Sequence, residues 1–174
     1  MKYDNSEVRG RMIRLIAAVD SQLGVANDHG IPWQGKIPMD TQYFNDQTSQ
    51  GLIVMGYRTY QEFDKPLHDR ENFVVTRPES GELRRGFTGV PDLTGFFHQH
   101  SQELVWVIGG AGLFEASLDE ADELFITQLD ADFHCTKFFP TFSGNFELVS
   151  SLGPYEENDI SFLFEIWQRM VATK

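Results

Sequence analysis

Cysteine is nearly absent from this chain. Cys135 is the only one in 174 residues, so no intramolecular disulfide can form, and a reducing cytosol is the natural compartment. Basic residues are scarce: 14 Lys and Arg stand against 26 Asp and Glu, a formal net charge of −12. A general nucleic-acid binder carries a basic footprint, so that class is disfavoured. Any anionic ligand must be held by a few local arginines against an unfavourable overall field. Long hydrophobic runs are missing too. The first apolar stretch, Met12 to Val19, is short and broken by Arg14, so it reads as neither a signal peptide nor a membrane span. There is no internal repeat, low-complexity block or long linker. The histidines form no metal-ligand cluster: His98-x-His100 ends a helix pattern and reads as solvent-facing, and His29, His68 and His134 are isolated. No Ser-His-Asp set or paired-carboxylate arrangement can be read from spacing.

What is present describes a folded protein of one-domain size, with 41% hydrophobic and 13% aromatic residues to build a core. Residues 1–11 are polar and charged and read as a flexible N-terminal extension, with 12–174 as a single domain. The strongest strand signals are "MIRLIAAV" (12–19), "GLIVMG" (51–56), "NFVVTR" (72–77), "ELVWVIGG" (103–110) and "DELFITQL" (122–129). Several are continuously apolar, as in strands covered on both faces. Helical patterns lie between them at Pro38–Gln50, Tyr57–Phe63, Pro91–His100 and Ala111–Asp119. This alternation predicts an α/β fold with a mostly parallel sheet. The segments 145–151 and 161–170 have no helix between them and predict an antiparallel C-terminal pair. The whole is expected as a mixed central sheet of about eight strands with about four helices.

Three places could carry chemistry. After Ile108, a buried strand runs into Gly109-Gly110-Ala111-Gly112 and a helix pattern. Glycine there permits close backbone approach to a ligand, and helix-start N–H groups attract phosphate; a turn that merely needs glycine is the plainer reading. It is not the G-x-G-x-x-G fingerprint, and no Walker lysine follows. Arg58 and Arg77 stand at C-terminal strand ends, where open α/β sheets bind ligands, with Thr59 and Thr76 as further donors; either arginine alone also reads as a solvated surface residue. Arg70 could grip a carboxylate bidentately or pair with Asp69 or Glu71. Asp40 follows Pro38 in a first helical turn, where its charge suits the helix dipole. Tyr43 and Phe44 share its face, so an inward orientation would desolvate the carboxylate and raise its pKa. No local partner is visible, and a heterocycle offering paired N–H groups would supply one.

Eight motifs in order resemble dihydrofolate reductase, covering Met12 to about Met170. They are Ile16-Ala17-Ala18; the loop from Gly24 to Pro32-Trp33; Asp40 with Phe44; Met55-Gly56-Tyr57-Arg58-Thr59; Pro66 through Arg70 to Asn72; Ile108-Gly109-Gly110; Thr127-Gln128-Leu129-Asp130-Ala131; and Phe139-Pro140. The resemblance implies NADPH as cofactor, dihydrofolate as substrate, hydride transfer to pterin C6 with protonation at N5, a role in one-carbon metabolism and tetrahydrofolate biosynthesis, membership of a class of antifolate targets, a monomer and a cytoplasmic location. It assigns Asp40 to the pterin 2-amino group and N3, with Thr127 supporting it and Trp33 holding a water and closing the loop. Ile16, Ala17, Phe44, Arg70 and Ile108 join them around the substrate, Arg70 at the glutamate tail. Ala18, Gly24, Ile108, Gly109, Gly110, Ala111, Gly112 and Leu113 are expected along the nicotinamide and pyrophosphate, the two glycines joined by a cis peptide. Arg58, Thr59, Thr76 and Arg77 are expected at the cofactor phosphates. No metal is implied.

The chain also departs from the family pattern. Tyr57 stands where a basic residue is usual, Phe114 where many bacterial members have Tyr, and Cys135-Thr136 where Gly-Asp commonly ties down the mobile loop. The segment from Trp33 to Pro38 is two residues longer than in many bacterial members. Two other readings stay open: the pyrimidine reductase of riboflavin synthesis, which shares the Gly-Gly element, and a non-catalytic binding module on the same fold.

Overall fold

The continuous apolar runs become the inner strands of one sheet. The computed structural model describes residues 10–172, and most of the expected 1–11 extension lies outside them. In chain order the strands are β1 (Met12–Val19), β2 (Gly24–Ala26), β3 (Leu52–Gly56), β4 (Glu71–Val75), β5 (Phe87–Val90), β6 (Leu104–Val107), β7 (Glu123–Leu129), β8 (Lys137–Phe138), β9 (Phe146–Glu157) and β10 (Ile160–Arg169). The helices are α1 (Pro38–Gln47), α2 (Tyr57–Gln61), α3 (Leu93–Gln99) and α4 (Ala111–Ser117). The main sheet has eight strands in the order β5-β4-β3-β6-β1-β7-β10-β9. All pairs from β5 to β7 are parallel, while β10 runs antiparallel to both β7 and β9, the expected mixed sheet.

Burial explains why the inner strands were legible. β3 and β7 are buried along nearly their whole length, and β1 over most of its own, because both faces are covered. One face packs Ile13, Leu15, Val54, Val107, Leu124 and Ile126 against Phe96 and Phe97 of α3 and Leu113 and Phe114 of α4. The other packs Ile16, Ile53, Met55, Trp106 and Phe125 against Tyr43 and Phe44 of α1 and Tyr60 of α2. Arg14 lies within that second layer. It is 1% exposed, sits 5.2 Å from both the Trp106 and Phe125 rings, and bonds Glu123 at 2.7 Å. The pair joins register partners on β1 and β7.

Several element boundaries differ from the sequence expectation. β2 and β8 are too short for periodicity to show and form their own two-stranded sheet. β5 is a largely exposed edge strand containing Gly89, so its pattern is weak. β9 runs on to Glu157 rather than stopping at 151. It passes through Gly153-Pro154, which an edge strand tolerates beside a register shift. α1 ends at Gln47, not Gln50. The Thr48 N–H and hydroxyl both turn back to the Phe44 carbonyl, and Gly51 then takes φ +101, where a Cβ would lie 2.7 Å from the Leu104 carbonyl oxygen. α2 and α3 are also shorter, and α4 passes at Leu118 into a 3-10 turn.

Candidate active site

The topology gathers the C-terminal ends of β1, β3, β4 and β6 along one edge, and α1 crosses above β7 and β10. Asp40 enters from α1. Its Oδ1 accepts a 2.6 Å hydrogen bond from the Thr127 hydroxyl on β7, a partner 87 residues away. Thr127 is itself buried and pairs in register with Ala18 of β1 and Phe164 of β10. One turn along α1, Tyr43 stacks on Phe164 with ring centroids 4.0 Å apart and planes 15° off parallel. That stack turns Asp40's face inward. Asp40 keeps part of its surface open, but burial pushes its pKa above the ordinary value. The Thr127 bond counters this and the nearby charge of Glu157 adds to it. Burial and Asp40 also push Tyr43 up, so its phenol stays protonated.

The loop from Asp20 to Ile37 packs beside this site, with Trp33 and Ile37 in the same apolar cluster as Tyr43, Phe164 and Ala18. Trp33 is buried at its root with Ile37, Leu129 and Phe162, and its ring lies 5.1 Å from Phe133. Sequence reasoning missed the residue that anchors this loop. Asp20 is fully buried. Its Oδ1 accepts from the Gln22 and Gly24 N–H groups and its Oδ2 from the Phe133 N–H, so one carboxylate binds two loops together. Gly24 is enclosed by the same contact: a Cβ there would lie 2.5 Å from Cys135 Cβ and 2.8 Å from both Asp20 oxygens. The spacing Asp-x-Gln-x-Gly was the only available signal, an Asx-type turn. At Cys135-Thr136, where the chain departs from the family's Gly-Asp, the backbone ties the loops together: Thr136 N–H bonds the Ala26 carbonyl and Phe139 N–H that of Leu23.

The Gly-Gly element sits at the junction of β3 and β6. Gly109-Gly110 is a cis peptide, as the resemblance implied, and the Gly109 carbonyl accepts from the Gly56 N–H at 2.7 Å. A Cβ on Gly109, at φ +114, would lie 3.2 Å from the Phe114 ring; one on Gly110 would lie 3.5 Å from Thr59 Oγ1. The glycines, Thr59 and Phe114 thus meet in one cradle, and Ile108 bonds back to Val54. Ala111 opens α4, Leu113 is buried under it, and Gly112 is open to solvent. Ile16 is buried, with Ala17 and Ala18 partly so, at the neighbouring strand end.

Arg58 and Arg77 are both exposed, at the ends of β3 and β4. The Arg77 N–H bonds Ser80 Oγ, and the Tyr57 hydroxyl donates to the Ser80 carbonyl at 2.8 Å, tying α2 to the turn after β4. Thr76 lies beside Gly89 of β5. Arg70 does not take up Asp69 or Glu71. Its guanidinium donates to Thr48 Oγ1 at 2.8 Å and Asn45 Oδ1 at 3.4 Å, and its Nε to the His68 carbonyl. Asn72 staples the turn that presents it, bonding Leu67 twice and the Arg70 carbonyl. Burial lowers the Arg70 pKa, and the nearby Asp69 partly restores it. Among the described residues no group of three or more His, Cys, Asp and Glu could hold a metal ion, and no helix is long and apolar enough to cross a membrane. His98 and His100 do not converge: His100 bonds Glu103 and packs on Phe96, while His98 is exposed.

Comparison with known proteins adds an independent line. A family model described as "Dihydrofolate reductase" matches residues 12–169. The dihydrofolate reductase of Bacillus subtilis is 34% identical over 167 residues, covering 94% of this chain and 98% of its own length. That of Drosophila melanogaster is 31% identical, covering 89% of this chain and 96% of its own. Among solved structures, dihydrofolate reductase from Enterococcus faecalis complexed with NADP(H) and RAB-propyl superposes with TM-score 0.78 at 22% identity, over 91% of this chain and 96% of that one.

Proposed function

This chain belongs to the dihydrofolate reductase family, and we propose that its reaction is carried by the Asp40 cleft, with residues 12–174 acting as one domain. The protein is an oxidoreductase that reduces 7,8-dihydrofolate to 5,6,7,8-tetrahydrofolate at the expense of NADPH. The observation that carries the site assignment is the Asp40–Thr127 pair, a partly desolvated carboxylate with one oxygen bonded across the cleft.

The glycine cradle fits a dinucleotide. A Cβ on Gly112 would meet nothing within 4 Å and one on Gly110 only Thr59 Oγ1, so the backbone there can be approached closely, and Arg58 and Arg77 lie exposed at the adjoining strand ends. Arg58, Thr59, Thr76 and Arg77 hold its phosphates, Gly109 to Leu113 its pyrophosphate, and Ala18 and Ile108 its nicotinamide end, with Gly24 fixing the loop beside them. When bound, NADPH supplies the hydride. Asp40 accepts hydrogen bonds from the pterin 2-amino group and N3, and its charge favours a proton on N5, which arrives through water. Thr127 orients that carboxylate. Ile16, Ala17, Phe44 and Ile108 line the ring, Trp33 holds a water and seats the loop, and Arg70 takes the terminal carboxylate, preset by Thr48 and Asn45.

The protein acts as a cytoplasmic monomer without nucleic acid or membrane partners. The test is loss of the NADPH absorbance band with and without dihydrofolate. Dihydrofolate-dependent loss is expected. Faster oxidation with the pyrimidine intermediate of riboflavin synthesis would favour that reductase instead, and binding of NADPH without turnover would leave only a binding module.

A further inference from the structure

α1 carries Asp40, yet it has no cap of its own. Its N-cap position is Ile37, which offers no side-chain acceptor. The free N–H of Met39 is met from 118 residues away: Glu157 Oε2 accepts it at 2.8 Å. The neighbouring Asn158 donates to the Lys36 carbonyl at 2.6 Å. Asn158 and Asp159 both have positive φ and form the two-residue turn of the β9–β10 hairpin, whose tip reaches this junction. Two bonds from one tip therefore hold the end of the lengthened Trp33–Pro38 segment and the start of α1.

We propose that Glu157 is a positioning residue for the reaction: it caps the helix that carries Asp40 and sets a second negative charge beside that carboxylate. The proposal rests on the assignment of Asp40 to the pterin ring. The groups that bear on Asp40 are Glu157 from the hairpin, Thr127 from β7 and Tyr43 from α1, and Arg14 of β1 acts in turn on Tyr43. Of these, Glu157 is the carboxylate whose charge acts on Asp40 directly. Its charge favours proton binding by Asp40 and by a pterin nitrogen alike, so its removal lowers the midpoint of either.

Glu157→Gln separates the two roles, because the amide oxygen still accepts the Met39 N–H while the charge is gone. The carboxyl carbon of Asp40 is followed by NMR in aspartate-labelled protein, assigned with Asp40→Asn, beside the pH profile of single-turnover hydride transfer. In Glu157→Gln both midpoints move lower, and the difference shrinks in high salt. The KM for dihydrofolate stays near wild type. In Glu157→Ala the midpoint moves equally, and KM rises roughly threefold as the cap is lost. Asn158→Gly keeps the turn and removes only the neighbouring bond, so it leaves the midpoint where it was. Coincident Asp40 titrations in wild type and Glu157→Gln would overturn the proposal. If Asp40 shifts but the wild-type chain does not turn over dihydrofolate, the functional assignment fails and the coupling of the two carboxylates stands.

Discussion

Asp40 shows how a local rule and a distant contact act on one side chain. By position it is an ordinary first-turn aspartate, stabilised by the helix dipole. Tertiary packing adds burial and the Thr127 bond, and the net effect raises its pKa above the ordinary 3.8. The folded state holds this proton more tightly than the unfolded state, so the Asp40 contribution grows less favourable as pH rises above that ordinary value. Asp40→Asn keeps an acceptor for Thr127 and removes the desolvated charge. It is expected to melt higher than wild type at neutral pH, with the gap closing as pH falls toward the ordinary value, while turnover drops by roughly 10²-fold or more. Melting curves at two pH values and a turnover assay check both halves. Undiminished turnover would remove Asp40 from its role.

At the scale of elements, the β1–β2 loop and the segment before β8 behave as one unit because Asp20 joins them. Burial alone would push this carboxyl's pKa up. The N–H bonds from Gln22, Gly24 and Phe133, with the Cys135 thiol, outweigh burial and hold it below the usual range. Its stabilisation is therefore present above pH 3.8 and lost as acid reaches the lowered folded value. The thiol is pushed up to about 11 by burial and then by Asp20, so Cys135 stays a protonated donor and a poor nucleophile. Asp20→Asn turns one acceptor oxygen into a donor facing N–H groups. A loss of about 1–3 kcal/mol is expected, with faster amide exchange at Gln22, Gly24 and Phe133. Unchanged exchange at Phe133 would mean that the two loops hold together without the carboxylate.

For the whole molecule, a net charge of −12 acts against the compact state and against anionic ligands. Added salt up to physiological strength is expected to raise the melting temperature of the free protein by screening that repulsion. NADPH is expected to raise it further, by about 2.7 kcal/mol of added stability at a hundredfold excess over Kd. If Arg58 and Arg77 hold the 2′-phosphate as proposed, NADH at the same concentration is expected to stabilise less. Equal shifts for the two would remove the phosphate assignment of those arginines.

The amino-acid sequence alone determined the class of fold, because strands buried on both faces must be continuously apolar, as Met12–Val19, Leu52–Gly56 and Glu123–Leu129 largely are. It also placed Asp40, Thr127, Arg70 and the paired glycines in motifs whose order carries a family. The short strands β2 and β8, the end of α1 and the reach of β9 were hidden, since two or three residues show no period and a helix end depends on what a Cβ would strike. The resemblance had already paired Thr127 with Asp40, which meet across 87 residues. Tertiary structure alone decided the other partners: Phe133 meets Asp20 across 113 residues and Glu157 meets Met39 across 118. A hydrogen bond needs two groups within about 3 Å. Spacing along the chain reports that proximity only within a helix turn or a hairpin, so these contacts exist only once the sheet has brought its strand ends together.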